Sequence, residues 1–429
     1  MAENKILVGI DIGTNKIITV IAKVLEEGTL NILGVSEVKS LGIKKGQIVD
    51  IEEAVRAINA SVEGAERMAG YSVSHVIASI GGSHIESQNS RGVVAVSSPQ
   101  GEIAEGDLTR VIDAARAVSF PSSREIIHVL PRNYSVDGQE GIKDPIGMTG
   151  IRLEVDTHII SANATSIRNL EKALREVGVD VDAFVFSGYA SSLSVLSDTE
   201  KELGVVLVDM GSGTTDISVY VDGSVTHSSV LPIGARHITN DLAIGLRISL
   251  ESAEKLKIFL SKPQKPTSYL EEEDGKRPRP SDEIDLSSLH LPEDIKLVSR
   301  KTLIEGIIRP RLNEIFSMVG QELKKSGWGG QTPAGLVVTG GGAKTVGIID
   351  AAKRTMAMPV RVGQPHDLKG IKDEIEDPSC SAVIGLILYG ESFGVEKSMP
   401  FGLSLPSFKF LPSGKMGKKI IDFIKSFIP

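Results

Sequence analysis

The sequence contains little that would suit an extracellular or membrane-spanning fold. Its 429 residues include one cysteine, Cys380, and one tryptophan, and only 4% are aromatic. A single cysteine excludes an internal disulfide framework and fits a reducing cytosol. No uncharged apolar stretch reaches the roughly 20 residues that span a bilayer, and residues 1–5 lack the features of a secretion signal. These absences predict a cytosolic protein.

Positive charge is also in deficit. Lysine and arginine number 47 against 55 aspartates and glutamates, which gives a net charge of −8. This balance argues against a general nucleic-acid binder. The length is sufficient for two or more domains with their own cores, and the composition is that of a globular protein.

Two short segments, nearly two hundred residues apart, repeat one pattern. Each is an apolar run, then Asp-x-Gly with small hydroxyl residues, then a second apolar alternation. The pattern predicts strand, tight turn and strand. The turn residues are Asp11, Gly13, Thr14, Asn15 and Lys16 in the first segment and Asp209, Gly211, Ser212, Gly213 and Thr214 in the second.

This pattern indicates a phosphate site. Glycine permits the turn and leaves room for backbone N–H groups to approach a phosphate. An aspartate would repel the phosphate unless a hard cation lies between them, so we expect Mg²⁺, held through its water shell, at Asp11 and Asp209. A third glycine-rich turn follows the predicted strand at 335–338 and would approach a ribose and base. Its residues are Gly340, Gly341, Gly342 and Ala343.

The rest of the chain alternates between α/β segments and other patterns. Residues 5–83 have α/β patterning, 84–162 form an inserted α+β module, and a second α/β half begins near 204. Residues 262–294 are rich in proline and charge and predict an exposed excursion. A single helix is predicted over 299–325, and residues 391–417 suit a flexible linker.

The last residues predict an amphipathic helix with a basic polar face. At about 11 residues and 1.5 Å per residue it cannot span a bilayer, but it can lie among anionic headgroups. The alternatives are a helix docked on the protein's own body and a helix that binds a partner. The membrane-facing set is Lys418, Lys419, Ile420, Ile421, Phe423, Ile424, Lys425, Phe427 and Ile428.

The three glycine-rich turns resemble the phosphate 1, phosphate 2 and adenosine motifs of the actin-like ATPase superfamily. The resemblance implies an α/β, ribonuclease H-like fold of two domains and four subdomains, with Mg²⁺ and ATP in the cleft. It also implies a Glu and Lys pair over the nucleoside, which Glu254 and Lys257 match; the alternative is a solvated charged helix.

Slow or negligible ATP turnover is expected. Related hydrolases orient water with a Glu or Gln near the start of the connecting helix, and residues 184–192 contain no acid or amide. Asp209 is the best catalytic candidate that remains, although the metal would occupy it.

The insertion is similar to that of the FtsA family of bacterial cell division proteins, on residues 127–134 and 139–150. The resemblance implies a peripheral protein on the cytoplasmic face of the inner membrane at the division septum. Such a protein binds the C-terminal peptide of FtsZ, forms protofilaments with itself and recruits later divisome membrane proteins. The alternatives are a pilus-assembly adaptor, an MreB-like cytoskeletal protein and a sugar-kinase-like enzyme of the same fold.

The resemblance also implies a division into subdomains. These are 1A at 1–83 with 163–197 and about 365–390, inserted 1C at 84–162, 2A at 198–240 with about 302–364, 2B at 241–301, the linker at 391–417 and the membrane-targeting helix at 418–429.

The FtsZ peptide is expected to bind a basic patch in the 2B region, because the peptide carries acidic residues and a terminal carboxylate. One feature departs from the family pattern, since residues 302–311 are one residue longer than expected. The patch consists of Lys296, Arg300, Lys301, Arg309 and Arg311.

Overall fold

The computed structural model describes residues 5–25, 29–117, 120–262, 282–293, 295, 297–366, 368–371 and 375–392. The predicted membrane helix, the predicted linker beyond residue 392 and Lys296 lie outside the described residues.

Strands and helices alternate along the chain. The strands are β1 Ile6–Ile12, β2 Lys16–Val24, β3 Leu30–Lys39, β4 Ile43–Lys44, β5 Gln47–Ile48, β6 His75–Ile80, β7 Glu86–Ala95, β8 Arg124–Val136, β9 Gln139–Ile142, β10 Arg152–Asn163, β11 Asp180–Phe186, β12 Val205–Met210, β13 Thr215–Val221, β14 Ser224–Leu231, β15 Glu283–Asp285, β16 Leu297–Ser299, β17 Leu336–Thr339, β18 Val360–Val362 and β19 Leu368–Gly370. The α-helices are α1 Ile51–Ala69, α2 Glu105–Arg116, α3 Ala164–Glu176, α4 Ser187–Val195, α5 Asp198–Leu203, α6 Ala235–Leu246, α7 Leu250–Ser261, α8 Arg309–Ser326, α9 Ile348–Met356 and α10 Ser381–Ser392.

Two sheets share one topology. In the first half the strand order is β11-β6-β1-β2-β3-β19, and in the second half it is β14-β13-β12-β17-β18. In each half an antiparallel meander of three strands is extended on one side by two parallel strands, and in the first half β19 adds a further parallel strand beside β3. The parallel strands β12 and β17 are buried along their whole length, as expected for strands covered on both faces. The near-repeat in the sequence is therefore a repeat of architecture.

A third, four-stranded antiparallel sheet, β7-β10-β8-β9, interrupts the first half. Its own small core forms where α2 packs on it, around Leu108, Val111, Leu153 and Val155. Gly92 lies under this helix, because a Cβ at that position would lie 2.1 Å from the Val111 carbonyl oxygen. This module has an independent apolar core and is joined to the first half at both ends of its chain segment.

Helix α10 crosses α4 at close range. Eight of its twelve residues are buried, including two glycines, Gly385 and Gly390. A Cβ on Gly385 would lie 1.8 Å from the Ala190 carbonyl oxygen of α4, so only glycine fits this crossing. α4 joins β11 in the first half to the second half, and the crossing therefore fixes the connection between them.

The region after α7 differs from the predictions in two ways. The helix predicted over 299–325 is present as a continuous helical segment, but its first part, Thr302–Ile308, is a π-helix and its second part is α8. A helix that gains one residue accommodates it as a π-turn, because i→i+5 hydrogen bonds replace i→i+4 bonds. The predicted exposed excursion is wrong for its last part, where β15 pairs with β16 and Ile284 and Leu286 are buried. Residues 263–281 lie outside the described part of the chain.

Candidate functional site

The two Asp-x-Gly hairpins have the same geometry. The N–H of Gly13 donates to the Lys16 carbonyl oxygen at 3.1 Å, and the N–H of Gly211 donates to the Thr214 carbonyl oxygen at 2.9 Å. The strand pairing ends at the equivalent pair in each, Ile12 with Ile17 and Met210 with Thr215. Asp11 and Asp209 therefore occupy equivalent positions one residue before the turn.

The two hairpin loops face each other across the halves. A Cβ on Gly213 would lie 3.0 Å from both Oγ1 and Cγ2 of Thr14, a tight contact that glycine avoids. The Thr14 hydroxyl in turn accepts the N–H of Gly46 at 3.1 Å. Asn15 is exposed, and its carbonyl oxygen accepts the N–H of Ser40. The structure thus brings together the two loops that the sequence placed two hundred residues apart.

The third glycine-rich loop packs on the end of β12. Gly340 has a φ of 81°, and a Cβ there would lie 2.1 Å from Asp209 Oδ1. A Cβ on Gly342 would lie 2.6 Å from the Met210 side chain. Gly341 is different, because it is exposed and, among the described residues, its Cβ would meet only Ser379 Cβ, at 3.7 Å. Gly340 and Gly342 are needed for packing, and Gly341 keeps open the space in front of the loop.

Lys16 links the first loop to the turn beside the third. Its ammonium donates to Ser379 Oγ at 2.8 Å and forms an ion pair with Glu37 at 2.5 Å. The N–H of Gly340 donates to the Pro378 carbonyl oxygen in the same turn. The positive charge of Lys16 therefore lies between the first and third loops.

Negative charge is concentrated at the centre of the three loops. Burial raises the pKa of Asp11, while the Ser79 hydroxyl and the Lys16 charge lower it. Burial and the charge of Asp11 also raise the pKa of Asp209, to about 7, despite a 2.5 Å hydrogen bond from Ser191 Oγ. Buried carboxyls of this kind are stable as acids or as ligands of a cation, and unstable as free anions.

A third acid, Asp216, was not among the residues predicted from the sequence. It lies directly across the sheet from Asp209. It is 5% exposed, and among the described residues its Oδ1 atom has no hydrogen-bond partner. Burial, Asp209 and Asp11 raise its pKa well above the usual carboxyl range. The available signal was an acid inside the apolar strand β13, where the first hairpin has Ile18 at the equivalent position.

The acidic group fits a hydrated magnesium ion better than a directly bound metal. Within the described parts of the chain, no three Asp, Glu, His or Cys side chains lie close enough to hold a metal together. The unpartnered Asp216 oxygen and the raised pKa values of the acids are what a cation with its own water shell would relieve.

Glu254 and Lys257 lie beside the second loop and bind helix α7 to α6. The Lys257 ammonium donates to Thr239 Oγ1 and Glu254 Oε2, each at 2.8 Å. It also lies 3.4 Å from the Ala235 carbonyl oxygen, and the N–H of Ala235 donates to the Gly211 carbonyl oxygen. The predicted pair therefore supports the base of the phosphate 2 loop.

The start of α4, where related hydrolases carry Glu or Gln, lies against Asp216. A Cβ on Gly188 would lie 3.1 Å from Asp216 Cβ, and one on Gly81 would lie 3.7 Å from Asp216 Oδ2. The acid in this space therefore comes from β13 instead of α4. Its position beside Asp209 makes Asp216 a second candidate for orienting a water.

The basic patch is partly neutralised inside the protein. Arg311 makes a bidentate pair with Asp241 at 2.6 and 2.9 Å and also contacts Glu314, while Arg309 pairs with Glu305. Lys301 is exposed, and Arg300 is partly buried beside it. Arg300 and Lys301 are therefore the patch residues whose charge no described carboxylate neutralises.

Comparison with known proteins places the chain in a family. The family described as cell division protein FtsA matches residues 206–385, and the domain described as the SHS2 domain inserted in FtsA matches residues 82–161, here called the insert. The chain is 38% identical to cell division protein FtsA of Pseudomonas aeruginosa over 393 residues, which cover 90% of each chain. It is 40% identical to that of Borreliella burgdorferi over 395 residues, and 34% identical to that of Escherichia coli over 401, with 91% of each chain covered in both comparisons.

Solved structures of low identity share the fold. A PilM–PilN type IV pilus biogenesis complex matches with a TM-score of 0.63 at 14% identity, covering 91% of this chain and 99% of the other. MreB5 of Spiroplasma citri bound to ADP matches with a TM-score of 0.50 at 15% identity, covering 90% and 96%. No helix of the described residues is long and apolar enough to cross a membrane. The chain belongs to the FtsA family of bacterial cell division proteins and has an actin-like α/β fold, as the sequence motifs predicted.

Proposed function

We propose that this protein binds ATP between its two halves, polymerises, and tethers FtsZ filaments to the cytoplasmic face of the inner membrane. One observation carries the nucleotide part of the proposal. Three glycine-rich loops from distant parts of the chain meet around Asp11, Asp209 and Asp216. Bare backbone beside buried carboxyls suits phosphate oxygens with an intervening cation. MreB5, which shares the fold, has been crystallised with ADP.

The proposal gives each loop a role. Backbone N–H groups around Gly13, Thr14, Asn15 and Lys16 and around Gly211, Ser212, Gly213 and Thr214 would hold the phosphates. Gly340, Gly341, Gly342 and Ala343 would lie against the nucleoside, with Glu254 and Lys257 nearby. Mg²⁺ would neutralise charge between the phosphates and the carboxylates of Asp11 and Asp209, through water. Asp209 or Asp216 would orient any attacking water. Slow turnover is expected because residues 184–192 contain no acid or amide and the cation would occupy Asp209.

Peptide binding is assigned to the surface around the π-helix. Arg300 and Lys301 carry positive charge that the protein's own described carboxylates leave available, and Leu297 and Ile244 are 61% and 76% exposed. Cationic and apolar groups together suit a short peptide with acids and a terminal carboxylate. Lys296, Arg309 and Arg311 complete the proposed patch.

Membrane attachment is assigned to residues 418–429. The subdomain boundaries that the family resemblance implies are part of the same proposal. One short helix gains at most about 1.5–3 kcal/mol for each large apolar side chain and loses part of that when it becomes ordered. Firm attachment therefore needs many tails on one polymer. Recruitment of later divisome proteins is assigned to the insert.

Co-sedimentation tests the whole proposal. The full chain is mixed with anionic vesicles, Mg·ATP and a labelled FtsZ C-terminal peptide. The peptide is expected to pellet with vesicles only when the protein is present, and more so with ATP. Replacing Arg300 and Lys301 with Glu should release the peptide. Replacing Lys324 and Lys325, at the far end of α8, with Glu is the matched control and should not. Peptide that stays in the supernatant beside wild-type protein contradicts the proposal.

A further inference from the structure

The insert covers an open sheet edge of the second half. Strand β14 is the edge strand of the five-stranded sheet, and β7 is the edge strand of the insert. Within the described residues, no backbone ladder joins these two strands. Instead Ser87 Oγ donates to the Ser228 carbonyl oxygen at 2.6 Å and accepts the Ser228 N–H at 3.1 Å. Asn89 Nδ2 donates to the Thr226 carbonyl oxygen at 3.2 Å. Side chains of the insert thus satisfy the exposed backbone of β14.

A buried histidine completes this contact. His158 of β10 is 1% exposed, and burial lowers its pKa to about 3, so the imidazole is neutral. Asn89 donates through Nδ2, so its Oδ1 accepts from His158 Nδ1 at 2.8 Å. His158 Nε2 must then accept from the Ser228 hydroxyl, at 3.0 Å. Ser87, Asn89, His158 and Ser228 form one satisfied network, here called the latch.

Weaker contacts continue from the latch along the same junction. Ser224 Oγ donates to the Arg132 carbonyl oxygen at 3.2 Å, and the Arg132 guanidinium lies 4.9 Å from the centre of the Trp328 ring. At the solvent edge, Lys143 of the insert pairs with Glu202 at 2.9 Å. These contacts are polar or charged, which is typical of surfaces that separate and close again. Beside them, Val225 of β14 and Leu130 of the insert belong to one apolar cluster.

Both sides of the latch are connected through the chain or through strand pairing to residues of the candidate nucleotide site. On the second half, β14 pairs with β13, so that Ser228 is opposite Ser218, and Val230 is opposite Asp216. On the first half, the chain enters the insert directly after Gly81, where a Cβ would lie 3.7 Å from Asp216 Oδ2. Any movement of the two halves about the cleft must therefore move β14 relative to the insert.

We propose that the latch is separable and that its closure is thermodynamically linked to nucleotide binding in the cleft. The inference rests on the proposed ATP site. The latch is closed in this structure, in which the Thr14 and Gly213 loops also approach each other, and we assign nucleotide binding to this arrangement. Linkage is reciprocal. A partner that pulls the insert from β14 weakens nucleotide binding, and bound nucleotide stabilises the contact between the insert and β14.

Nucleotide affinity of latch variants is the first test. The double variant Ser87→Ala with Asn89→Ala removes three hydrogen bonds to β14 and leaves the one between His158 and Ser228. Ser90→Ala is the matched control, because Ser90 lies on the same strand and its hydroxyl donates to Ala115 within the insert. The affinity of the double variant for Mg·ATP should be lower by a factor of about five or more, because typical allosteric couplings begin at about fivefold. Ser90→Ala should have the affinity of wild type. Equal affinities for all three proteins overturn the inference.

Hydrogen exchange of wild-type protein is the second test and needs no variant. Amides of residues 224–231 should exchange more slowly with Mg·ATP present, and unchanged exchange counts against the latch.

A charge reversal of the Lys143–Glu202 pair excludes misfolding as the cause of weaker binding. Lys143→Glu should weaken nucleotide binding, and adding Glu202→Lys should restore it. Failure of the restoration contradicts the linkage. Wild-type protein that binds no ATP refutes the proposed function, whereas wild-type binding with unaffected latch variants refutes the latch alone.

Discussion

At the residue scale, the candidate site depends on two buried acids, Asp209 and Asp216, and on the partly buried Asp11, whose charges the apo protein tolerates poorly. Replacing Asp216 with Asn keeps the shape and removes the ionisable carboxyl beside Asp209. We expect the thermal midpoint of the apo protein to rise by about 2–4 °C, because a buried carboxyl without a partner is a cost. The same variant should lose most of its Mg²⁺-dependent stabilisation by ATP. A lower apo midpoint together with full ATP stabilisation contradicts the assigned role of Asp216.

The raised pKa of Asp209 predicts a pH dependence. Between pH 3.8 and about 7 the folded protein keeps a proton that the unfolded chain has released. Asp209 therefore makes the apo protein less stable as pH rises through this window, by up to about 1.4 kcal/mol per pH unit. Buried His128 and His158, with pKa values lowered to about 3 by burial, act in the opposite direction below pH 6.5.

Comparison with Asp209→Asn cancels the histidine contributions and leaves that of Asp209 together with its effect on the pKa of Asp216. Both act in the same direction, so the stability of wild type minus that of Asp209→Asn, from urea unfolding at pH 5, 6, 7 and 8, should decrease as pH rises. A difference that is constant or increases over this range contradicts the raised pKa.

The sequence was sufficient to identify the turn glycines and the two aspartates at strand ends, because an apolar run followed directly by Asp-x-Gly encodes both a strand and its turn. It was not sufficient for Asp216, whose importance depends on a cross-strand neighbour and on burial from the other half. It also could not show that Asp241 and Glu305 pair with Arg311 and Arg309. Local patterns identify backbone geometry, and charge pairing needs the tertiary structure.

At the element scale, the close crossing of α10 and α4 is the most sensitive packing contact. Gly385→Ala would place a methyl group 1.8 Å from the Ala190 carbonyl oxygen. We expect a loss of about 1–3 kcal/mol in the free energy of unfolding, typical of overpacking. Gly106→Ala in α2 is the control, since a Cβ there meets no described atom within 4 Å, and it should stabilise by about 0.5–1 kcal/mol. Urea unfolding measures both, and equal stability of the two variants contradicts the crossing geometry.

Most elements follow from periodicity and capping. Helix α1 begins and ends where its sequence has capping residues, because Asp50 caps its start and Gly70 ends it with a φ of 63°. The π-helix was not predicted, although the extra residue in 302–311 was the local sign of it. Strand β15 was missed because it is short and follows a charged segment, and its pairing with β16 supplies the missing information.

At the scale of the whole molecule, the tail prediction links sequence to location. Deleting residues 418–429 should abolish sedimentation with anionic vesicles and leave Mg·ATP affinity unchanged, because the tail carries the apolar contact and the globular halves carry the loops. Zwitterionic vesicles should bind the intact protein less, since the lysines lose their anionic partners. Vesicle binding that survives the deletion contradicts the anchor.

The two-half architecture and its insert were predicted from motif order, since the repeated hairpins implied repeated sheets. The contact between the insert and β14 was not predicted, because Ser87, Asn89 and His158 have no recognisable pattern in the sequence. Polar contacts between domains depend on which surfaces meet, and that information is global.

The most direct test of the central claim is calorimetric titration of Mg·ATP into wild type, Gly341→Leu and Gly330→Leu. Position 341 has room for a side chain in the protein but would place it in the proposed nucleoside space, and position 330 is open among the described residues and outside the three loops. Wild type and Gly330→Leu should bind alike, and Gly341→Leu should lose about tenfold or more in affinity, or about 1.4 kcal/mol. Undiminished binding by Gly341→Leu, or no binding by wild type, would contradict a nucleotide cleft built from these loops.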